Sequence, residues 1–303
     1  MKKVLPNFPK FEKLKLDHKD LLQAMVSNFP SSDFNFAGLF TWDVEGLVEI
    51  SSLNDNLIMR SADYLTHEAF YTFLGDNNLE ETIMALTKYS KDHGEQTTFR
   101  LIPESVAIKI NPVMHKVIED RDNHDYIYRV SDLSDMVGSK YRSNRRRIIR
   151  FTRLYGSKIT EKELDLNDEK TTKDIESVMA KWQKSRRKHI DDVRDEFVAI
   201  NKALTHHKAL GMRAFGIFDA KELIAFQIFE ILPGKVAIGH FEKADSKYVE
   251  VFSYLKHALA KHLSNMRVET YNTEQDLGLP GLRKSKEMDN PASFIKKYTV
   301  TRK

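Results

Sequence analysis

The stretch MRAFGIFDAKELIAFQIFEILPGKVAIGHFEKA, Met212 to Ala244, decides how this chain is read. It holds three strand-like runs: MRAFGIFD, ELIAFQIFEIL and VAIGHFEKA. Ala220-Lys221 and Pro233-Gly234 fall between them at turn positions, so the stretch predicts three strands joined by tight connections. YVEVFSYLKHALAKHL follows, and places Val251, Leu255, Ala258, Leu259 and His262 on one helical face. RVETYN and FIKKYTVT return to strand character. Upstream, TTKDIESVMAKWQKSRR predicts an amphipathic helix with Ile175, Val178, Met179 and Trp182 on its apolar face. DEFVAINKALTHHKALG predicts a second helix that stops at Gly211.

The resulting order, β-β-β-α-β-loop-β after two helices, is that of an N-acetyltransferase-like α+β domain. The first half has the same style. GLVEISSLNDNLIMRSA predicts a hairpin turning at Asn54-Asp55-Asn56, NLEETIMALTKYSKDHG a helix ending near Gly94, and TTFRLIPESVAIKI a further strand. The expected architecture is therefore two tandem N-acetyltransferase-like (GNAT) domains with mixed, mostly antiparallel sheets flanked by helices. The first spans 1–155 and includes a basic helix; the second, 156–303, carries the active site.

Composition bounds the function. The 303 residues are 41% hydrophobic, a globular composition, with a mild net charge of +4. The absence of Cys excludes disulfides, thiolate metal sites and a Cys nucleophile. No stretch approaches the ~20 apolar residues of a membrane helix, and the N-terminus has no signal-peptide apolar run. The expectation is a soluble cytoplasmic protein able to touch a membrane surface. Phosphate-loop, dinucleotide, zincin and nucleophile-elbow motifs are all missing.

Three constellations carry chemistry. KYRSNRRRIIRFTRLYG, from Lys140 to Gly156, contains Arg142, Arg145, Arg146, Arg147, Arg150 and Arg153 and no acid. On a helix Arg142, Arg146, Arg150 and Arg153 share a face. Uncompensated like charges four apart repel, so the stripe suits a phosphate backbone or anionic lipid headgroups; the plainer alternative is a solvated basic face. KSRRKH, Lys184 to His189, would extend it. In GHFEKA, strand alternation is expected to aim His240 and Glu242 to one side, where a carboxylate and an imidazole can move an amine proton; the alternative is structural pairing. In YNTEQDLGLPGLRKSK, Tyr271 to Lys286, acids at Glu274 and Asp276 precede a Pro280-Gly281 turn and the bases Arg283, Lys284 and Lys286. Arg283 offers a planar fork for phosphate or carboxylate.

With DYIYRVSDLSDMVGSKYRSNRRRIIRF and NFPSSDFNFAGLFTW, these pieces resemble the phosphatidylglycerol lysyltransferase C-terminal domain family through most of the chain. The resemblance implies two N-acetyltransferase-like domains that move an amino acid from aminoacyl-tRNA to a lipid hydroxyl; the related Fem-type enzymes use a peptidoglycan amine. It implies catalytic roles for Glu242, Glu274, Asp276 and Arg283, and substrate binding by His240, Lys243, Asn272 and Lys286. Arg142, Arg145, Arg146 and Arg150 are expected to hold tRNA or another anion. Aminoacyl-tRNA is the expected co-substrate, anionic phospholipid a further partner, and no metal or other cofactor is needed.

The chain departs from the family pattern at three places. Thr273 stands where relatives carry Arg, Glu250 where they carry Gly, and Asp289-Asn290 precede Pro291 where they have Ser-Tyr. Two other readings stay open. An acyl-CoA-dependent N-acyltransferase would want a Gly-rich pyrophosphate loop, and KADSKYVEV has no Gly. A non-catalytic binding protein would retain the fold without turnover.

Overall fold

The computed structural model describes residues 4–27, 31–185 and 190–303. The chain forms two compact units, 1–125 with 295–303, and 126–294.

The first unit opens with β1 (Glu12–Lys13), α1 (Lys19–Val26) and α2 (Phe36–Trp42). Strands β2 (Glu49–Leu53), β3 (Asn56–Ala62) and β4 (Ala69–Leu74) complete a four-stranded antiparallel sheet in the order β1-β2-β3-β4. The expected hairpin is present: Asn54 and Asp55 both take positive φ, the geometry of a tight turn whose twist matches the strands. Next come α3 (Leu79–Asp92), β5 (Thr98–Pro103), α4 (Glu104–Ala107) and β6 (His115–Glu119). Ile83 and Leu86 of α3 pack with Ile58, Tyr71, Phe73 and Phe99 in the core.

The second unit comprises β7 (Asp125–Arg129), α5 (Val130–Asp135), α6 (Arg142–Tyr155), β8 (Ile159–Leu164), α7 (Glu169–Ser185), α8 (Ile190–Thr205) and α9 (His207–Leu210). The deciding stretch follows as β9 (Met212–Asp219), β10 (Glu222–Leu232) and β11 (Val236–Ala244). Then come α10 (Val251–Asn265), β12 (Thr270–Asn272), α11 (Pro280–Glu287) and β13 (Ser293–Ile295). The seven-stranded sheet runs β13-β7-β12-β11-β10-β9-β8. Val251, Leu255, Ala258 and Leu259 of α10 pack with Phe229, Ala237 and Tyr271 of the sheet. Ile175, Val178, Met179 and Trp182 of α7 are all buried, as their spacing predicts, and α7 packs on β10 and β11.

The expected β-β-β-α-β order occurs in both units, as β2-β3-β4-α3-β5 and β9-β10-β11-α10-β12. The α+β tandem expectation holds, but the boundary moves from 155/156 to 125/126. β7 pairs antiparallel with β12, and Phe151 of α6 joins the core around α10, so 126–155, basic helix included, belongs to the second unit. FIKKYTVT also divides. β13 joins the large sheet, while β14 (Lys297–Arg302) lies between β5 and β6 in the first unit. Lys297 is buried there in ion pairs with Asp33 and Asp125.

Candidate functional site

β11 and β12 pair in parallel only from Val236↔Thr270 to Ile238↔Asn272, and beyond Ile238 the pairing ends. On its other edge, β11 slips by one residue against β10: Phe229 faces Gly239, but Ile228 faces Phe241. His240 is the extra residue of this bulge, and one extra residue reverses the side-chain alternation that follows. Glu242 therefore shares the face of Gly239 and Gln227, which α10 covers. His240 turns to the opposite face, where Glu230 lies across from Ile238. The expectation that His240 and Glu242 point the same way is corrected: simple alternation does not survive a bulge.

Glu242 is half-buried, and no described residue donates a hydrogen bond to its carboxylate. Burial raises its pKa; Lys256 opposes this, Asp289 adds to it, and Lys286 and Lys243 oppose it further. Lys256 of α10 sits 2.5 Å from Asp289 and over the Tyr128 ring, 5.7 Å from its centroid. Burial disfavours its charge, but Asp289 and Glu242 more than compensate and hold it firmly protonated. Asn144 of α6 donates from Nδ2 to Asp289 Oδ1 at 2.8 Å, fixing the carboxylate that fixes the lysine. Tyr271, 2% exposed, adjoins this group; burial first, then the charge of Glu242, keeps its phenol protonated. The sequence reading missed Lys256, Asp289, Asn144 and Tyr271 as members of the site. In the sequence Lys256 looks like any solvated lysine of α10. Asp289 showed only as a departure from the family pattern.

On the other face, His240 bridges two carboxylates. Its Nδ1 lies 2.9 Å from Glu274 and its Nε2 3.1 Å from Glu230. Burial opposes the imidazolium, but hydrogen bonds to Glu230 and Glu274 and their charges outweigh it and raise the pKa to about 10. The cluster is thus two carboxylates around one fixed cation. Asn272 Oδ1 accepts from the Glu274 backbone N–H at 2.7 Å, which helps hold Glu274 in its left-handed conformation at φ 60°. Lys243 pairs with Glu196 of α8 and lies over Trp182 at 4.6 Å.

Glu274 and Asp276 do not form a carboxylate pair. Asp276 is buried away from His240, accepting from Tyr126 Oη at 2.6 Å, Gly278 N at 2.9 Å, and Arg283 Nε and Nη2 at 2.9 and 2.8 Å. Burial alone would raise its pKa; the Arg283 and Tyr126 hydrogen bonds overcome this and lower it to about 2. Lys286 donates from Nζ to the carbonyls of Thr273 and Glu274. Asp276, Arg283 and Lys286 thus hold the loop together through these contacts.

The basic stripe is a helix, as predicted. Phe151 is buried and stacks on Tyr254, with ring centroids 4.3 Å apart, while Arg142, Arg146, Arg150 and Arg153 are exposed. Arg145 turns inward to the carbonyls of Met136 and Gly138. Glu250 approaches Arg150 at 3.5 Å and Arg147 at 3.9 Å. Among the described residues no acid pairs with Arg142, Arg146 or Arg153. The basic run at Lys184–His189 continues into 186–189, outside the described residues.

The family model for phosphatidylglycerol lysyltransferase, C-terminal, matches residues 26–301. No curated protein matches the chain. A conserved Bacteroides thetaiotaomicron protein of unknown function is similar in structure at a TM-score of 0.82 and 22% identity, covering 99% of this chain and 100% of that one. The C-terminal domain of a putative lysylphosphatidylglycerol synthetase from Agrobacterium fabrum follows at 0.63 and 12%, covering 94% and 91%. L-PGS from Bacillus licheniformis stands at 0.60 and 13%, covering 99% and 94%. At these identities the likeness shows a shared fold.

Proposed function

The chain belongs to the phosphatidylglycerol lysyltransferase C-terminal family, and from that membership we propose that it moves an amino acid from aminoacyl-tRNA to a lipid or other small acceptor. Glu242 carries this reading. It is a carboxyl with a raised pKa and no hydrogen-bond donor among the described residues, set beyond the point where β11 and β12 stop pairing. A general base works best when its pKa approaches the working pH. Glu242 takes the proton of the attacking hydroxyl or amine as it adds to the aminoacyl carbonyl. Collapse of the tetrahedral species breaks the ester C–O bond, and the leaving ribose oxygen takes that proton back from Glu242 to become a hydroxyl.

Glu274 and Glu230 around His240 form a cluster with one net negative charge, suited to the ammonium of the aminoacyl group; Glu274 retains 20% of its side-chain exposure. Arg142, Arg146 and Arg153, unpaired among the described residues, offer cations for the tRNA backbone. An acyl-CoA donor is disfavoured by Glu250. It occupies the N-cap of α10 at φ 64°, and its carboxylate opposes a pyrophosphate at that helix N-terminus.

The test incubates the protein with total tRNA charged with labelled amino acids and vesicles containing phosphatidylglycerol. The expected result is label transfer that high salt suppresses and Glu242→Gln abolishes. CoA co-purifying with the protein, without RNA affinity, would overturn the reading.

A further inference from the structure

Tyr271 lies on β12 opposite Ala237, at the last stretch where β11 and β12 remain paired. Its side chain is 2% exposed, yet its hydroxyl forms no hydrogen bond with any described residue. The hydroxyl is not one of the buried polar atoms left without a partner among the described residues, so it keeps access to solvent and can donate to a ligand that enters. The neighbouring backbone is shaped around it. A Cβ at Gly239 would collide with Tyr271 Oη and come within 2.9 Å of Gln227 Nε2. Gly239 is extended β11 backbone with no positive φ of its own, so the glycine is required for this space and not for a turn.

Register puts Gly239, Gln227 and Glu242 on one face of the sheet, and Tyr271 is on that face because its strand partner Ala237 is two residues before Gly239. Glu242 is also without a hydrogen-bond donor. The unmatched phenol and the unmatched carboxylate therefore sit together, one able to donate and the other able to accept.

We propose that the Tyr271 hydroxyl, seated in the Gly239 notch, donates a hydrogen bond to the carbonyl oxygen of the aminoacyl ester as that oxygen becomes an oxyanion. The proposal rests on the aminoacyl-transfer reading above. The nucleophile's oxygen or nitrogen bonds to the carbonyl carbon, its proton passes to Glu242, and the electron pair displaced from the C=O bond resides on the oxygen facing Tyr271. The pair then re-forms C=O as the ester C–O bond breaks, and the leaving ribose oxygen takes the proton back from Glu242. Tyr271 keeps its proton throughout, as befits a phenol surrounded by buried apolar groups and a carboxylate. Fixed donors aimed at a developing oxyanion act in this way.

Tyr271→Phe removes one oxygen and preserves the ring. It is expected to lower kcat about 100-fold, the usual cost of one oxyanion donor, with KM for charged tRNA unchanged. Gly239→Ala displaces the hydroxyl and should produce a loss that Tyr271→Phe does not deepen in the double variant. A second measurement needs no turnover: binding of an aminoalkylphosphonate ester of adenosine, whose tetrahedral anion mimics the oxyanion. It should bind wild type about 100-fold more tightly than Tyr271→Phe. Equal phosphonate affinity of the two proteins would overturn the role of Tyr271. Tyr271-dependent phosphonate binding, without transfer from charged tRNA by wild type, would uphold the oxyanion site and overturn the tRNA-dependent reading instead.

Discussion

Arg283 grips Asp276 with both ends of its guanidinium fork, Nε at 2.9 Å from Oδ2 and Nη2 at 2.8 Å from Oδ1. The pair spans the turn between β12 and α11, and the carboxylate is wholly buried while the arginine keeps 31% of its side-chain exposure. Charge-assisted hydrogen bonds of this kind contribute more than neutral ones. Arg283→Ala should therefore lower unfolding stability by about 1.5–3 kcal/mol, read as a shift in urea midpoint at neutral pH.

The same pair has an acid limit. The Asp276 carboxyl is lowered from 3.8 to about 2 in the folded protein. Its contribution is present above the unfolded value of 3.8 and is lost as pH falls through about 2. Denaturation followed across that window should show a stability loss in wild type that Asp276→Asn no longer shows. An equal slope in both proteins would remove Asp276 as its source.

His240 sets the alkaline counterpart. Its folded pKa of about 10 exceeds the ordinary 6.5, so its contribution is complete below 6.5 and declines as pH rises through about 10. His240→Gln should flatten that decline. It also leaves Glu230 and Glu274 without their cation, and breaking a buried ion cluster costs about 3–5 kcal/mol. Chemical denaturation at several pH values separates the two effects.

Lys256 tunes Glu242. Removing the positive charge that opposes burial should raise the carboxyl pKa further. In transfer assays, Lys256→Met should move the acidic limb of the pH–rate profile to higher pH, while Glu242→Gln removes the limb together with the activity. A limb that stays in place in Lys256→Met would show that another group controls it.

The exposed arginines of α6 predict salt dependence. The triple variant Arg142→Ala, Arg146→Ala and Arg153→Ala should weaken tRNA binding and reduce the log–log salt slope by about 0.9 for each phosphate that is no longer neutralised. Arg150, close to Glu250, should matter less than Arg146. Filter binding at graded salt measures both.

Much of the architecture was legible because it depends on local patterns. The apolar face Ile175, Val178, Met179 and Trp182, the hairpin turn at Asn54-Asp55 and the three strands from Met212 to Ala244 follow from helical spacing, positive-φ turn chemistry and β-rich runs. The site was legible only in part. The motifs single out Glu242 and Glu274, which the structure places on opposite faces of the sheet with Lys256 and His240. Lys256 and Tyr271 are not singled out, because a lysine on a helix and a tyrosine on a strand carry no local mark of function. That Asp276 and Arg283 bind each other is not legible either, because in one dimension an acid and a base near a turn look the same whatever they pair with.

The sequence by itself determined the alternation of strands and helices, the helical basic stripe and the family, since each is written in residues close along the chain. Only the tertiary structure decided that β14 returns to the first unit while β7 joins the second, because strand pairing is settled by partners far apart in sequence. It also decided that the bulge at His240 sends Glu242 toward Lys256 and the imidazole toward Glu230. One extra residue reverses a strand's faces, and its position depends on the register with β10, which the β11 sequence alone does not contain.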